Sequence, residues 1–366
     1  MAMPTSCRCR PGNGPCPNTH SGRMVKKKGV FLRACAGKEA EHTPVWFMRQ
    51  AGRYLPQYRA MRKGRSMVDM YKDPRISSTI TTLPVRLLGV DAAILFADIM
   101  TPLEAMGFSF SIGAGGPVVK NPLRDAAGLE ALRSIDPSDD TGYVMESIRL
   151  SKKSLGDAAA MVGFSGAPFT LASYIVEGTL TRDLLTLKRF MHSETELWAG
   201  LMTALTRLVS SYAMAQVASG ADAIQIFDSW AGALGPEDYE EYVMPYLRRL
   251  FKELHRSGAP SIYFSTGTSG MLDLLGEVGA DVISVDWRMD IAEAWSRIGC
   301  TSIQGNLDPT LMLCDFGTIR KRSMKILNSV DGRPGHIFNL GHGMLPATPV
   351  GSAIRLVRLV HEATGA

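Results

Sequence analysis

The chain has 366 residues, 45% of them hydrophobic and 20% charged, the balance of a globular protein with room for two domains or one large α/β barrel. Its apolar runs all fall short of the eighteen or so residues of a membrane-spanning helix, which excludes such a span. The formal net charge is +5, but Arg8, Arg10, Arg23, Lys26, Lys27 and Lys28 stand without an acid in residues 1–28, so the remainder carries −1. A nearly neutral body excludes a broad nucleic-acid face and leaves room for a local basic pocket.

Residues 1–28 hold almost no apolar side chains to offset their ordering entropy, so a disordered basic extension is expected there, with Met24 as an alternative start. Cys7, Cys9 and Cys16 lie in this leader and Cys35, Cys300 and Cys314 are scattered; none pairs with histidine at zinc-ligand spacing, so no metal is expected. The leader has no apolar signal core, which points to a reducing cytoplasm.

From residue 29 onward short apolar runs alternate with longer helical patterns, the mark of a parallel sheet covered by helices. Predicted strands are Val45–Met48, Ala92–Ala97, Met161–Phe164, Ala223–Phe227, Ser261–Phe264, Val282–Val285, Thr301–Gln304 and Ile337–Leu340. Between them, Asp73-Pro74 predicts a capped helix start, Ser193-Glu-Thr-Glu196 a capping box, and Gly235-Pro236-Glu237 a further start. Pro84 is expected to kink the helix before the second strand. Residues 101–138, with Gly113-Ala-Gly-Gly-Pro117, are too long for one helix and predict an inserted ribbon beside the cleft mouth. A Gly-x-Asp element recurs at Gly89-Val-Asp91, Gly220-Ala-Asp222 and Gly279-Ala-Asp281, one per helix–strand unit. Eight such units fit a closed (β/α)8 TIM barrel over 29–366 better than an open sheet, and no Gly-x-Gly-x-x-Gly turn follows the first strand.

Arg49, Arg53, Arg59 and Arg62 crowd the stretch after the first predicted strand. A solvated basic face is the commoner fate of such a segment, but apolar residues between the charges and breaks at Gly52 and Pro56 favour guanidinium forks turned into one cleft to grip carboxylates. Arg49, Asp98, Ser165, Asp228, Ser229, Asp286, Asn306 and His342 all fall at or just past the end of a predicted strand. In a barrel that is one rim, the face where active sites are built.

The run Met48-Arg49-Gln50-Ala-Gly-Arg53-Tyr-Leu-Pro56 closely resembles the signature of the uroporphyrinogen decarboxylase family, enzymes of haem biosynthesis. The resemblance continues in order at Phe96-Ala-Asp98-Ile, Gly163-Phe-Ser-Gly-Ala-Pro-Phe-Thr-Leu-Ala-Ser-Tyr174-Ile-Val-Glu-Gly178, Phe227-Asp-Ser229-Trp-Ala-Gly232, Gln304-Gly-Asn-Leu-Asp-Pro309 and Asn339-Leu-Gly-His342-Gly343. It implies cofactor-independent conversion of the four acetates of uroporphyrinogen III to methyls, giving coproporphyrinogen III and carbon dioxide, by a homodimer with facing clefts. It implies that Asp98 accepts hydrogen bonds from the pyrrole N–H groups and carries the chemistry. Arg49 and Arg53 match arginines that hold carboxylates, with Gln50 and Arg62 as further contacts. Tyr174, Ser229 and His342 match hydrogen-bond donors, and Phe227 a pocket wall. Tyr263-Phe-Ser-Thr-Gly-Thr-Ser-Gly270 departs from the pattern, since many members carry a lysine there. The rival readings are a zinc methyltransferase of the same barrel superfamily, for which Cys300 and Cys314 lack a histidine partner, and a non-catalytic tetrapyrrole binder.

Overall fold

Parallel strands buried on both faces need apolar side chains throughout, and the apolar runs of this chain form such a sheet in the computed structural model, which describes residues 27–113, 116–179 and 181–365. In chain order, β1 (Ala92–Ile94) is followed by an antiparallel ribbon of β2 (Phe110–Gly113) and β3 (Gly116–Val119). Then come β4 (Ala160–Gly166), β5 (Ala223–Asp228), β6 (Ser261–Ser265), β7 (Val282–Ser284), β8 (Ser302–Leu307) and β9 (His336–Leu340). β1 and β4 to β9 are neighbours in that order, all parallel.

The predicted first strand, Val45–Met48, shrinks to one bridge that closes the curled sheet. Val45 pairs in parallel with Phe338 of β9, and on its other side its carbonyl accepts the Asp91 N–H at 2.8 Å. Pairing stops there because the Phe47 N–H turns to the Gln50 side chain at 3.0 Å and the Met48 N–H to Asn339 at 3.3 Å. β1 is likewise shorter than predicted. In the helix Pro74–Leu88, the Ser77 hydroxyl donates to the Phe96 carbonyl and the Thr81 hydroxyl accepts the Phe96 N–H, at 2.8 and 2.9 Å.

Asp73 caps that helix by accepting the Arg75 and Ile76 N–H groups, with Pro74 in the first turn. Pro84 sits inside it, and the helix runs on to Leu88. The helix Pro236–Tyr242 starts after Gly235 as expected. The predicted capping box at Ser193 does not form: Ser193 ends the helix Leu185–Ser193, and the Glu194 N–H still bonds back to Phe190 at 2.9 Å as Thr195–Ala218 begins. A capping box does join Ser66 and Asp69. The insertion is the ribbon β2–β3 with short flanking helices, and Val119 and Leu123 N–H groups dock it on Gly178 and Ile175 at the end of the helix Pro168–Glu177.

The three Gly-x-Asp elements are one device used three times. Gly89, Gly220 and Gly279 take φ of 77°, 111° and 91°, the left-handed turn that only glycine adopts freely. The following aspartate then accepts a backbone N–H at the start of the preceding strand position: Asp91 from Val45 at 2.7 Å, Asp222 from Met161 at 2.9 Å, Asp281 from Ser261 at 2.8 Å. The barrel interior carries a polar layer that the strand patterns did not announce, in which Gln304 bonds Trp46, Gln225 and Ser284. The predicted leader lies outside the described residues except for Lys27 and Lys28, which open the helix Lys27–Cys35. Among the described residues no helix is long and apolar enough to cross a membrane.

Candidate active site

The C-terminal ends of the strands gather the predicted groups. Arg49 sits at the turn after the closing bridge with φ of 59°, a conformation held by the bonds of its neighbours. Gln50 is wholly buried: its carbonyl oxygen accepts the Phe47 N–H and its amide donates to Ala92 at 2.9 Å, so it ties the Arg49 turn to β1. The Arg49 side chain runs across Gly343, where a Cβ would stand 3.0 Å from Nε. This brings it beside His342.

Asp98, half-buried, lies past β1 and its Oδ1 accepts the Met100 N–H at 2.9 Å. Burial pushes its carboxyl above the ordinary range, while that N–H and the Arg49 charge pull it back. His342 is held down to about 4 by burial first and then by Arg49 and Arg288, against Asp286. Its Nδ1 accepts the Gly343 N–H at 2.7 Å, so the neutral ring carries its proton on Nε2 as a donor. Burial keeps the Tyr174 phenol protonated, with Asp98 and Arg49 both within electrostatic reach. Phe227 joins these groups through edge-on rings, 5.7 Å to Phe264, which in turn is 6.1 Å from His342. Ser229 follows directly on β5, its carbonyl accepting the Thr266 hydroxyl at 3.0 Å.

Of the arginines, Arg59 folds back on the carbonyls of Arg53 and Tyr54 at 2.9 and 3.2 Å. Arg53 and Arg62 gather at Tyr58, whose ring meets Phe96 edge-on at 5.7 Å, two residues before Asp98. Among the described residues Arg49, Arg53 and Arg62 make no ion pair, and Arg62 hydrogen-bonds the Tyr58 phenol.

Four of the expected rim residues turn their polar groups inward instead. Asp228 is buried and accepts hydrogen bonds from Thr170 and Tyr263 at 2.7 and 2.8 Å; burial raises it to about 6. Asp286 takes the Gly267 N–H at 2.6 Å and pairs with Arg288, and Asn306 donates to the Asp286 and Met289 carbonyls. Ser165 is wholly buried within β4. Sequence reading missed Arg288, which stands just past β7, where strand-end position was the available signal. The loop after β6 supplies no cation, and its Gly267 N–H and Thr266 hydroxyl are engaged at Asp286 and Ser229.

A parallel barrel that brings an arginine, a half-buried carboxylate and a neutral imidazole together at the C-terminal ends of its strands has the frame of a barrel enzyme. Residues 26–363 match the family model for uroporphyrinogen decarboxylase (URO-D), and the chain belongs to that family. It is 48% identical to a uroporphyrinogen decarboxylase of Roseiflexus sp., covering 91% of this chain and 97% of the relative. It is 46% identical to that of Thermus thermophilus, over 91% and 97%. Among solved structures, a methyltransferase from Methanosarcina mazei superposes with a TM-score of 0.75 at 20% identity over 92% of this chain and 98% of that one, a likeness of fold.

Proposed function

We propose that this chain removes carbon dioxide from the four acetate side chains of uroporphyrinogen III, yielding coproporphyrinogen III in haem biosynthesis. Family membership across residues 26–363 carries this reading. An acetate on a pyrrole loses carbon dioxide when its electrons have a sink. Protonating a ring carbon places positive charge on the ring nitrogen; the C–C bond then breaks and its electrons neutralise that charge. A proton takes the place of the departed carboxyl, and the ring proton is returned.

Asp98 is suited to this sequence because a carboxylate in a dry setting interacts most strongly with charge that develops during the reaction. Its raised proton affinity is the cost of that setting. Convergent pyrrole N–H donors lower it again on binding, by favouring the ionised form. Arg49, Arg53 and Arg62 hold carboxylates that stay, since an ion pair with the departing one would slow its loss. Gln50 fixes the Arg49 turn, His342 Nε2, Tyr174 and Ser229 donate hydrogen bonds, and Phe227 walls the pocket. The free thiols of Cys35, Cys300 and Cys314 suit a reducing cytoplasm. We place residues 29–366 in one catalytic barrel that acts as a homodimer.

Anaerobic incubation of the pure protein with uroporphyrinogen III, followed by oxidation and chromatography of the porphyrins, tests the reading. Coproporphyrin is the expected end product. Unchanged uroporphyrin with measurable binding would leave a tetrapyrrole-binding protein.

A further inference from the structure

Asp228 ends β5 between two groups assigned to the cleft, Phe227 and Ser229, yet its own carboxylate is wholly buried. Oδ1 accepts the Thr170 hydroxyl at 2.7 Å and Oδ2 the Tyr263 hydroxyl at 2.8 Å, with the Tyr239 hydroxyl 3.0 Å behind Tyr263. Both oxygens are engaged, so the group has no face left for a ligand. Burial raises its proton affinity, and an apolar residue of the same shape would spare the fold that cost. Local costs of this kind persist where they serve a site. On the decarboxylase reading above, we propose that Asp228 is a positioning residue: it locks the helix that carries Tyr174 to the turn that carries Ser229, so that both hydroxyls meet the carboxylates of one substrate without rearrangement.

Tyr174 and Ser229 come from different elements, the helix Pro168–Glu177 and the turn after β5, so their separation is set by whatever joins the two. Thr170 lies one turn before Tyr174 on the same face of that helix. Its hydroxyl proton goes to Asp228, which leaves the oxygen free to accept the Trp230 N–H at 3.3 Å. The Trp230 indole then meets the Tyr174 ring edge-on, with centroids 6.3 Å apart. A chain of contacts thus runs from Asp228 through Thr170 and Trp230 to Tyr174, and Ser229 is the residue that it encloses.

The backbone of the turn is held as well. The Ala167 N–H, at the start of the helix, bonds the Phe227 carbonyl at 2.8 Å, and the Thr266 hydroxyl bonds the Ser229 carbonyl at 3.0 Å. Gly232 closes the turn against the loop after β6 and has no room for a side chain, since a Cβ there would stand 2.2 Å from the Thr266 carbonyl oxygen. Asp228 reaches the turn, the helix and, through Tyr263, β6 together. Donors fixed in this way bind a carboxylate without first losing freedom of their own, and that saving in entropy is what Asp228 supplies.

The test measures turnover of uroporphyrinogen III and equilibrium binding of coproporphyrinogen III by the full chain and its variants, with thermal melts to show that each is folded at the assay temperature. A parent without turnover would end the decarboxylase reading and this proposal with it. With an active parent, Thr170→Val, which keeps the shape of the side chain and removes only the hydroxyl, and Asp228→Ala should each weaken product binding at least about tenfold, the scale of a modest misplacement of binding groups. Asp228→Asn, which keeps the shape and an acceptor, should recover most of that loss. Coupling separates positioning from mere stabilisation: Tyr174→Phe should weaken binding at least about threefold more in the parent than in Thr170→Val, because a hydroxyl already out of place has little left to lose. Thr170→Val carries the test alone if Asp228→Ala does not fold. Equal penalties for Tyr174→Phe in the two backgrounds, parent-like binding by Thr170→Val, or an Asp228→Asn no better than Asp228→Ala would each overturn the proposal.

Discussion

The two ends of the barrel treat polar side chains in opposite ways. At the N-terminal end Asp91, Asp222 and Asp281 each accept the N–H that opens a neighbouring strand, and Asp222 also meets Lys28 and Lys152. At the C-terminal end Asp98 gives one oxygen to Met100, while Arg49, Arg53 and Arg62 make no ion pair among the described residues. Satisfied groups hold the barrel closed. Charges without a counter-ion raise the energy of the free protein and lower that of a complex that supplies one, so stability and ligand affinity are separated along one axis.

Substitutions at each end should therefore fail in different assays. Asp222→Ala strips the buried Met161 N–H and two lysines of their acceptor, and should lower unfolding free energy by about 2 to 4 kcal/mol in urea titrations with turnover per folded molecule unchanged. A lost rate at unchanged stability would break the division. Asp228 sits between the two classes, at the rim yet fully bonded. Its folded pKa of about 6 lies above the unfolded value, so its contribution to stability is complete below about pH 4 and is lost as pH rises through 6. Asp228→Asn removes that slope: relative to the variant, the parent should lose on the order of 3 kcal/mol between pH 4 and pH 7.5. Parallel stability curves would show that Asp228 does not titrate in that window.

Arg53→Lys keeps the charge but not two parallel donors, and should weaken binding of coproporphyrinogen by about 1 to 3 kcal/mol at unchanged melting temperature. Equal affinity would remove Arg53 from the anion site. Smallest of all should be the loss of residues 1–23, to which no group at either end is assigned. A chain begun at Met24 should keep full activity and melt within a few degrees of the parent, and a large loss of either would show that the leader docks on the barrel.

Seven strands were legible because buried parallel strands are continuous apolar runs. The closing strand was placed correctly but read too long, because the Gln50 side chain and, from the far end of the chain, the Asn339 amide take the N–H groups after Val45–Trp46. Ser193 read as a capping box on local letters, yet the preceding helix already owned its backbone. Strand-end position found Arg49, Asp98 and His342 but passed over Arg288, and it could not sort the open from the engaged. Asp228 is engaged because Thr170 and Tyr263 arrive from other elements, and Asp286 because Gly267 does. The interior layer of Gln225, Ser284 and Gln304 lay hidden in runs that read as apolar.

The chemistry at the C-terminal end of the barrel is expected to rest on the charge of Asp98. Single-turnover decarboxylation with enzyme in excess, paired with equilibrium binding of product, tests it in Asp98→Asn, which keeps the shape and most of the hydrogen-bonding capacity but cannot balance a positive ring nitrogen. The rate should fall at least about a hundredfold while product binds moderately well, the signature of a lost preorganised charge. A near-normal rate in the variant would contradict the account and leave Asp98 as the acid that shapes the Met100 turn.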